Sequence, residues 1–264
     1  MNTILTYNEL IRKSYDYDQD RQDNSLAWHV VRSLYQRNYI GNLHKCNVSI
    51  PKKIHQIWLG GNFPTEYVKY ANTWKQHNPE WEYKLWTEVD FDQVKIPNRK
   101  LFNSIMNVAQ KSDFLRYHIL NQYGGLYVDT DFECLKSFDD FAYLDFYTGI
   151  GYPKELELYI GLIASVPHHP ILEHIIKKMT VVKYGGRWRN IFHTTGSFFF
   201  TRMFLEMVSA DTTGVVAFPM DFFYPFPNNV RKEANIDPYF YITGCTYAIH
   251  HWAVSWRKKP KVEE

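Results

Sequence analysis

The chain has 264 residues, with 30 Lys plus Arg against 28 Asp plus Glu and a net charge of +2. A balance this even excludes an extended nucleic-acid footprint, which needs a clustered basic excess, and the length suffices for one large α/β domain with a sizeable core. Aromatic residues make up 17% of the chain, which suits stacking surfaces as well as core filling.

Cys46, Cys134 and Cys245 have no metal-like spacing and are expected to be free thiols of a reducing compartment. No N-terminal stretch resembles a signal peptide, and no apolar run reaches membrane-spanning length, so the expectation is a soluble cytoplasmic chain.

Residues 1–49 read as a helical extension, with helices over 6–14 and 25–39 flanking a polar loop. Leu26, Val30, Val31 and Leu34 give the second its apolar spacing. The main domain, 50–264, opens with a buried strand over 53–59 that is closed by Gly60-Gly61, where α/β sheets usually hold nucleotides. A helix follows over 65–77 with Tyr67, Val68, Ala71 and Trp74 facing inward, and then a half-buried strand over 81–86. A further helix is expected over 101–108.

The stretch 109–136, AQKSDFLRYHILNQYGGLYVDTDFECLK, organises the rest. Its helix places Ala109, Leu115, Ile119 and Leu120 near one stripe, with Ser112, Asp113 and Arg116 elsewhere at spacings of one turn or less. Gly124 and Gly125 permit the left-handed turn that ends the helix and start the strand Leu126-Tyr127-Val128. Asp129 and Asp131 follow at i and i+2, on one side of an extended chain, and face a common point that calls for a cation. Hard oxygen ligands suit Mn²⁺ or Mg²⁺ bridging to substrate phosphates.

Beyond it, a strand is expected over 156–164, and His168 and His169 read as a turn leading into a helix over 171–180. Thr194-Thr195-Gly196-Ser197 opens a helix over 198–208 whose N-terminus can meet an anion or a sugar hydroxyl. A short strand over 215–218 precedes DFFYPFP at 221–227, read as an irregular aromatic loop lining an acceptor groove. The last strand spans 247–250, and a basic tail, 257–261, is a candidate contact for an anionic membrane surface.

SDFLRYHILNQYGGLYVDTDFE, with IPKKIHQIWLGG at 50–61 and HHWAVSW at 250–256, resembles the DXD-containing sugar transferases typified by the yeast initiating α-1,6-mannosyltransferase, and more distantly the glucosyltransferase domains of large clostridial toxins. The resemblance covers 50–256 and leaves out the first 49 residues. It implies a GT-A-like single domain with a Rossmann-like, mostly parallel sheet flanked by helices. The implied activity is metal-dependent hexosyl transfer from a UDP- or GDP-sugar to a glycan, polysaccharide or glycolipid, with retention of configuration.

It also implies that Asp113 and Arg116 face the donor sugar as catalytic groups with Asp131. Trp58 then stacks on the base, Gly60, Gly125 and Asp129 line the donor, and Ser255 and Trp256 close over the diphosphate. Asp129, Asp131 and His251, with His250 as the lesser choice, are the expected metal ligands, since a neutral imidazole suits Mn²⁺. Ser197 stands where the family usually has proline, in Thr-Gly-Pro.

Many eukaryotic members of the family carry a Golgi anchor, so this chain points to a bacterial or viral relative. No residue recommends itself as a covalent nucleophile, and a front-face displacement needs none. Two rivals are kept open: a metal-dependent phosphohydrolase, which would also use DTD, and a catalytically silent sugar-binding module.

Overall fold

The computed structural model describes residues 25–42, 48–152, 156–179, 188–233 and 235–253. The expected helix over 6–14, Cys46 and the basic tail lie outside the described residues. Helix α1 (Leu26–Leu34) buries Trp28, Val31 and Leu34, while Leu26 points to solvent. The inward face is therefore spaced 28, 31, 34–35, and Leu26 falls off it. Tyr35 and Tyr39 pack their rings on Phe218 and Phe222, and the Asn38 amide donates to the carbonyls of Thr212 and Val215.

The sheet begins with β1 (Lys53–Ile57), followed by α2 (Thr65–His77) and β2 (Glu82–Trp86). Tyr67, Ala71 and Trp74 form the buried face of α2 at i, i+4 and i+7, but Val68 is exposed, because it lies about 100° round the helix from Tyr67. The helix expected over 101–108 is instead α3 (Arg99–Asn103) followed by a break. The break arises because Asn107 caps the next helix, α4 (Val108–Tyr123), by accepting from the Gln110 amide at 3.1 Å. From Asp113 to Leu120 every residue of α4 is buried, so its charged members are enclosed along with its apolar ones.

Strand β3 (Gly125–Val128) runs directly out of the Gly124 turn, whose φ is 62°. All four of its residues are buried, as a central strand covered on both faces requires. After it come β4 (Phe132–Cys134), β5 (Phe146–Tyr152), β6 (Glu157–Ser165), α5 (Pro170–Lys178), α6 (Trp188–Thr194), α7 (Ser197–Met207), β7 (Val215–Phe218), α8 (Met220–Phe223) and β8 (Ala248–His250).

The six-stranded order is β2-β1-β3-β6-β5-β7, in which only β6 runs against the others. The sheet is therefore mostly parallel, as expected. Strands β4 and β8 form a separate antiparallel pair that carries the final histidines to the carboxyl end of β3.

His169 caps α5 by accepting from the Ile171 amide at 3.2 Å, the structural role expected of that turn. DFFYPFP corrects its reading as a loop in part: residues 221–223 belong to α8, 224–227 are irregular as expected, and every residue from 221 to 227 is buried. Phe222 and Phe223 pack among Phe218, Phe141 and Phe138, because rings of this size remove far more apolar surface from water in the core than an exposed loop would.

Candidate active site

A cleft of about 860 Å³ opens above the carboxyl ends of β1 and β3 and the start of β6. Trp58, Gly60, Asp113, Arg116, Asp129 and Asp131 all line it. Arg116 is the hub. Its Nη1 donates to the Ile160 carbonyl at 2.7 Å and lies 3.3 Å from Asp129 Oδ1, while Nη2 is 3.2 Å from Asp113 Oδ1. Its guanidinium sits over the Tyr127 ring, whose hydroxyl donates to Asp129 Oδ1 at 2.7 Å.

Asp113 and Arg116 are only 6% and 5% exposed, so their i, i+3 pair is a desolvated part of the site and not a surface pair. Burial lifts the Asp113 carboxyl to about 6, against the pull of Arg116 and of the Thr195 hydroxyl, which donates to Asp113 Oδ2 at 3.0 Å. Arg116 stays charged: burial opposes its proton, but Tyr127, Asp129 and Asp113 outweigh that.

The DTD residues form a turn, which corrects the extended-chain reading: the Phe132 amide donates to the Asp129 carbonyl. The turn still converges its carboxylates. Gly161 on β6 gives them room, since a Cβ there would come within 2.9 Å of Asp129 Oδ2. Asp131 Oδ1 is 3.0 Å from His250 Nε2, and Oδ2 accepts from the Ala253 amide at 2.7 Å. Burial alone would raise the Asp131 carboxyl, but His250 and the Ala253 amide hold it below the usual range. Asp129 goes the other way, raised by burial against Arg116 and then by Asp131 beside it.

Ligand atoms of Asp129, Asp131 and His250 all lie within 4.8 Å of one another. Two carboxylates with an imidazole are a donor set that fits a divalent cation of the Mn²⁺ or Mg²⁺ type. His251, the expected ligand, is not in this group. His251 follows directly after β8 and turns away from the carboxylates: it meets Glu133 Oε2 at 2.9 Å and stacks on Tyr70.

Gly125 is not among the cleft residues. It starts β3 at the end away from the carboxylates, outside the cleft lining, where a Cβ would meet the Lys53 carbonyl at 2.6 Å. Gly60 lines the cleft with φ 92°, and its amide is taken by Glu88 Oε1 at 2.6 Å. Trp58 packs edge-on to Phe63 and tilted against Tyr67. Ser255 and Trp256 lie outside the described residues.

Sequence reasoning missed Glu157, which lines the cleft from β6, and the tie of Thr195 to Asp113. The Thr-Thr-Gly-Ser turn was the one signal that pointed toward both. Among the described residues, no helix is long and apolar enough to cross a membrane.

The sequence model of the family described as "Glycosyltransferase sugar-binding region containing DXD motif" matches residues 64–146. An uncharacterized glycosyltransferase of Acanthamoeba polyphaga mimivirus is 31% identical over 219 residues, covering 78% of this chain and 84% of that protein. Inositol phosphoceramide mannosyltransferase 1 of Schizosaccharomyces pombe is 27% identical over 202 residues, 71% of this chain, and the chain spans only 61% of that fungal relative. Among solved structures, the PaToxG glycosyltransferase aligns with a TM-score of 0.52 at 19% identity, over 71% of this chain and 80% of that one, a likeness of fold alone. With the fold and the DTD turn in place, the chain belongs to the glycosyltransferase family whose sugar-binding region contains the DXD motif, on a GT-A-like fold.

Proposed function

We propose that the chain transfers a hexose from a UDP- or GDP-linked donor to a hydroxyl of a glycan, polysaccharide or glycolipid, with dependence on a divalent cation and with retention of configuration. The observation that carries this reading is the row of charges on the cleft floor, Asp113–Arg116–Asp129, which runs into the Asp131–His250 pair. Asp129, Asp131 and His250 would hold Mn²⁺ or Mg²⁺, which when bound supplies Lewis-acid neutralisation of the leaving diphosphate.

The chain's own groups do the rest. Above pH 6 Asp113 is ionised, so it accepts hydrogen bonds from the sugar hydroxyls, and Thr195 and Arg116 fix its direction. Arg116 keeps its proton and orients Asp113 and Asp129 toward the same bound sugar. Trp58 offers a ring at the rim for the base. Retention follows from front-face displacement, in which the departing phosphate takes the acceptor's proton.

The test is a panel of nucleotide sugars incubated with the full chain and Mn²⁺, beside a chelator control, with release of nucleoside diphosphate as the readout. Mannosyl donors come first, because the fungal relative is named a mannosyltransferase. One donor consumed in a cation-dependent way supports the reading. A chain that neither binds nor consumes any nucleotide sugar overturns it, and a trapped sugar–protein adduct in the mass spectrum overturns the front-face step.

A further inference from the structure

Two aromatic rings and an isoleucine stand in water on one turn behind the cleft wall. Residues 238–241 form a single 3₁₀ turn, and Tyr239 and Phe240 on it and Ile242 at its end are 50%, 86% and 38% exposed. Exposed apolar side chains such as Leu26 and Val89 stand alone in the sequence, as is ordinary for a protein surface. Three within four residues make a patch.

The turn is tied at several points. Pro238 starts it, the Asp237 carboxylate accepts from the Tyr239 amide at 2.9 Å, and the Ile242 amide donates to the Tyr239 carbonyl at 3.2 Å. The Tyr239 hydroxyl donates to both carboxylate oxygens of Glu133, and the Tyr241 ring packs on Phe226 at 5.6 Å. Phe240, between them, is left pointing out. Held there it adds nothing to the fold, because its apolar surface stays in water.

Cations gather round this turn. Lys136 Nζ donates to the Gly244 carbonyl, two residues past Ile242, and lies over the Tyr247 ring. Lys69 is exposed over the Tyr70 ring, and Tyr70 stacks on His251. His251 and Tyr239 meet at the same oxygen, Glu133 Oε2, so the chain beyond His251 starts beside the turn. Four of the five residues 257–261 are Arg or Lys. Residue 257 is four positions past Ala253, a reach of at most about 14 Å. Against these stand Asp237, which caps the turn, Glu133, and Asp140, which accepts from the Tyr247 hydroxyl at 2.6 Å. The local balance is basic.

Apolar rings amid cations match the boundary of an anionic bilayer, where aromatic side chains settle at headgroup depth and Lys and Arg meet a negative surface potential. Either signal alone holds a protein weakly, and the two together hold it firmly. A stable protein partner covers about 800 Å² per side, far more than one turn offers.

We infer that this corner, the 238–242 turn with Lys69, Lys136 and the basic run 257–261, docks on an anionic lipid bilayer, with Phe240 as the side chain that enters it. The turn backs the cleft wall: Phe226, on which Tyr241 packs, accepts from the Trp252 indole at 2.8 Å, and Trp252 lines the cleft beside His250. Docking there sets the cleft at the lipid surface.

The test is co-sedimentation of the full chain with vesicles of phosphatidylcholine alone and of phosphatidylcholine mixed with phosphatidylserine. The parent should bind the mixed vesicles roughly tenfold more tightly or better, and less tightly as salt rises. Phe240→Ser should weaken that binding roughly tenfold or more, the worth of one phenylalanine leaving water. Its melting and its nucleoside diphosphate affinity should be the parent's. Lys69→Gln combined with Lys136→Gln should weaken binding roughly ten- to thirtyfold, on the mixed vesicles alone. In Phe240→Trp binding should persist, with a blue shift of emission and quenching by brominated lipid beyond the parent's own response.

Equal binding of the parent and Phe240→Ser to mixed vesicles would overturn the inference. So would a parent that binds no vesicle, or a Phe240→Trp that binds without lipid quenching. If sedimentation velocity finds the parent dimeric and Phe240→Ser monomeric, with no vesicle binding by either, the patch belongs to a second copy of this chain and the membrane assignment fails.

Discussion

The two ends of β3 are both polar and both buried, yet they are finished differently. At the Gly125 end, His55 has both ring nitrogens engaged: Nε2 donates to the Gly124 carbonyl at 2.9 Å, and Nδ1 accepts from the Trp86 indole at 3.1 Å. At the Asp129 end, buried Arg116 Nε, His250 Nδ1 and Trp58 Nε1 have no hydrogen-bond partner among the described residues. Each such atom costs about 1–3 kcal/mol relative to a satisfied one. At the Gly125 end Asn121 Oδ1 is the one nearby buried atom without a partner among the described residues, so the unmet groups concentrate at the Asp129 end, the end built to meet something else.

The largest effects should come from the unfinished end. Asp131→Asn removes one of the three converging ligand atoms and should lower turnover roughly a thousandfold or more, since a bound cation stabilises several kcal/mol of developing charge. Its thermal melting should fall only modestly with the fold retained, because the charge that His250 and the Ala253 amide stabilise is lost while the Asn side chain keeps its shape. His250→Ala should weaken Mn²⁺ binding, read by titration of the cation alone, by roughly ten- to hundredfold or more. Turnover at the parental level in Asp131→Asn would break the division between the two ends.

Gly125→Ala asks the same question of the finished end. The new Cβ would face the Lys53 carbonyl at 2.6 Å with φ at 98°, so backbone must move. Unfolding in urea should show a loss of about 2–3 kcal/mol. The kcat/KM of the protein that remains folded should be unchanged. A selective loss of donor affinity without loss of stability would return Gly125 to the donor site.

The ends should also respond to pH with opposite signs. Burial depresses His55 to about 4, so between pH 6.5 and 4 the unfolded chain binds the proton and the folded chain does not; stability present above 6.5 is lost as pH falls through that window. His118 and His169, also lowered to about 4 by burial, add in the same direction. Asp113 has its folded value raised from 3.8 to about 6, so its contribution is full below 3.8 and lost as pH rises through 6. Asp113→Asn removes that opposing slope. The rise in unfolding free energy from pH 4 to 6.5 should therefore steepen, by on the order of 1–3 kcal/mol across the window. A flatter rise would mean that Asp113 is not held as a buried acid.

Most of the unfinished end was legible because it lies on one continuous stretch. Helix, glycine stop, strand and DTD bring Asp113, Arg116, Asp129 and Asp131 together through local rules alone. What could not be read came from far along the chain. Glu157 reaches the cleft only because β6 runs against β3, and DFFYPFP is interior only because α8 folds over a cluster of phenylalanines. The choice between two neighbouring histidines depends on a single residue of strand register, which composition does not encode.

That register allows the smallest and most direct test. In the β4–β8 pair Phe132 faces His250, whose ring meets Asp131, whereas His251, just past the strand's end, meets Glu133. His251 has its own finished environment. Glu133 accepts from His251 and, at 2.8 and 2.9 Å, from the Tyr239 hydroxyl, and Tyr70 stacks on the imidazole at 4.5 Å. Burial would raise the Glu133 carboxyl, but His251 and Tyr239 hold it below the usual range. His251→Ala should therefore cost about 1 kcal/mol of stability, the worth of one such hydrogen bond. Mn²⁺ affinity and turnover should change by less than about threefold, since no cleft residue loses a partner. A fall in Mn²⁺ affinity as large as that of His250→Ala would mean that both faces of β8 serve the same site, and the assignment of the imidazole ligand to His250 would fail.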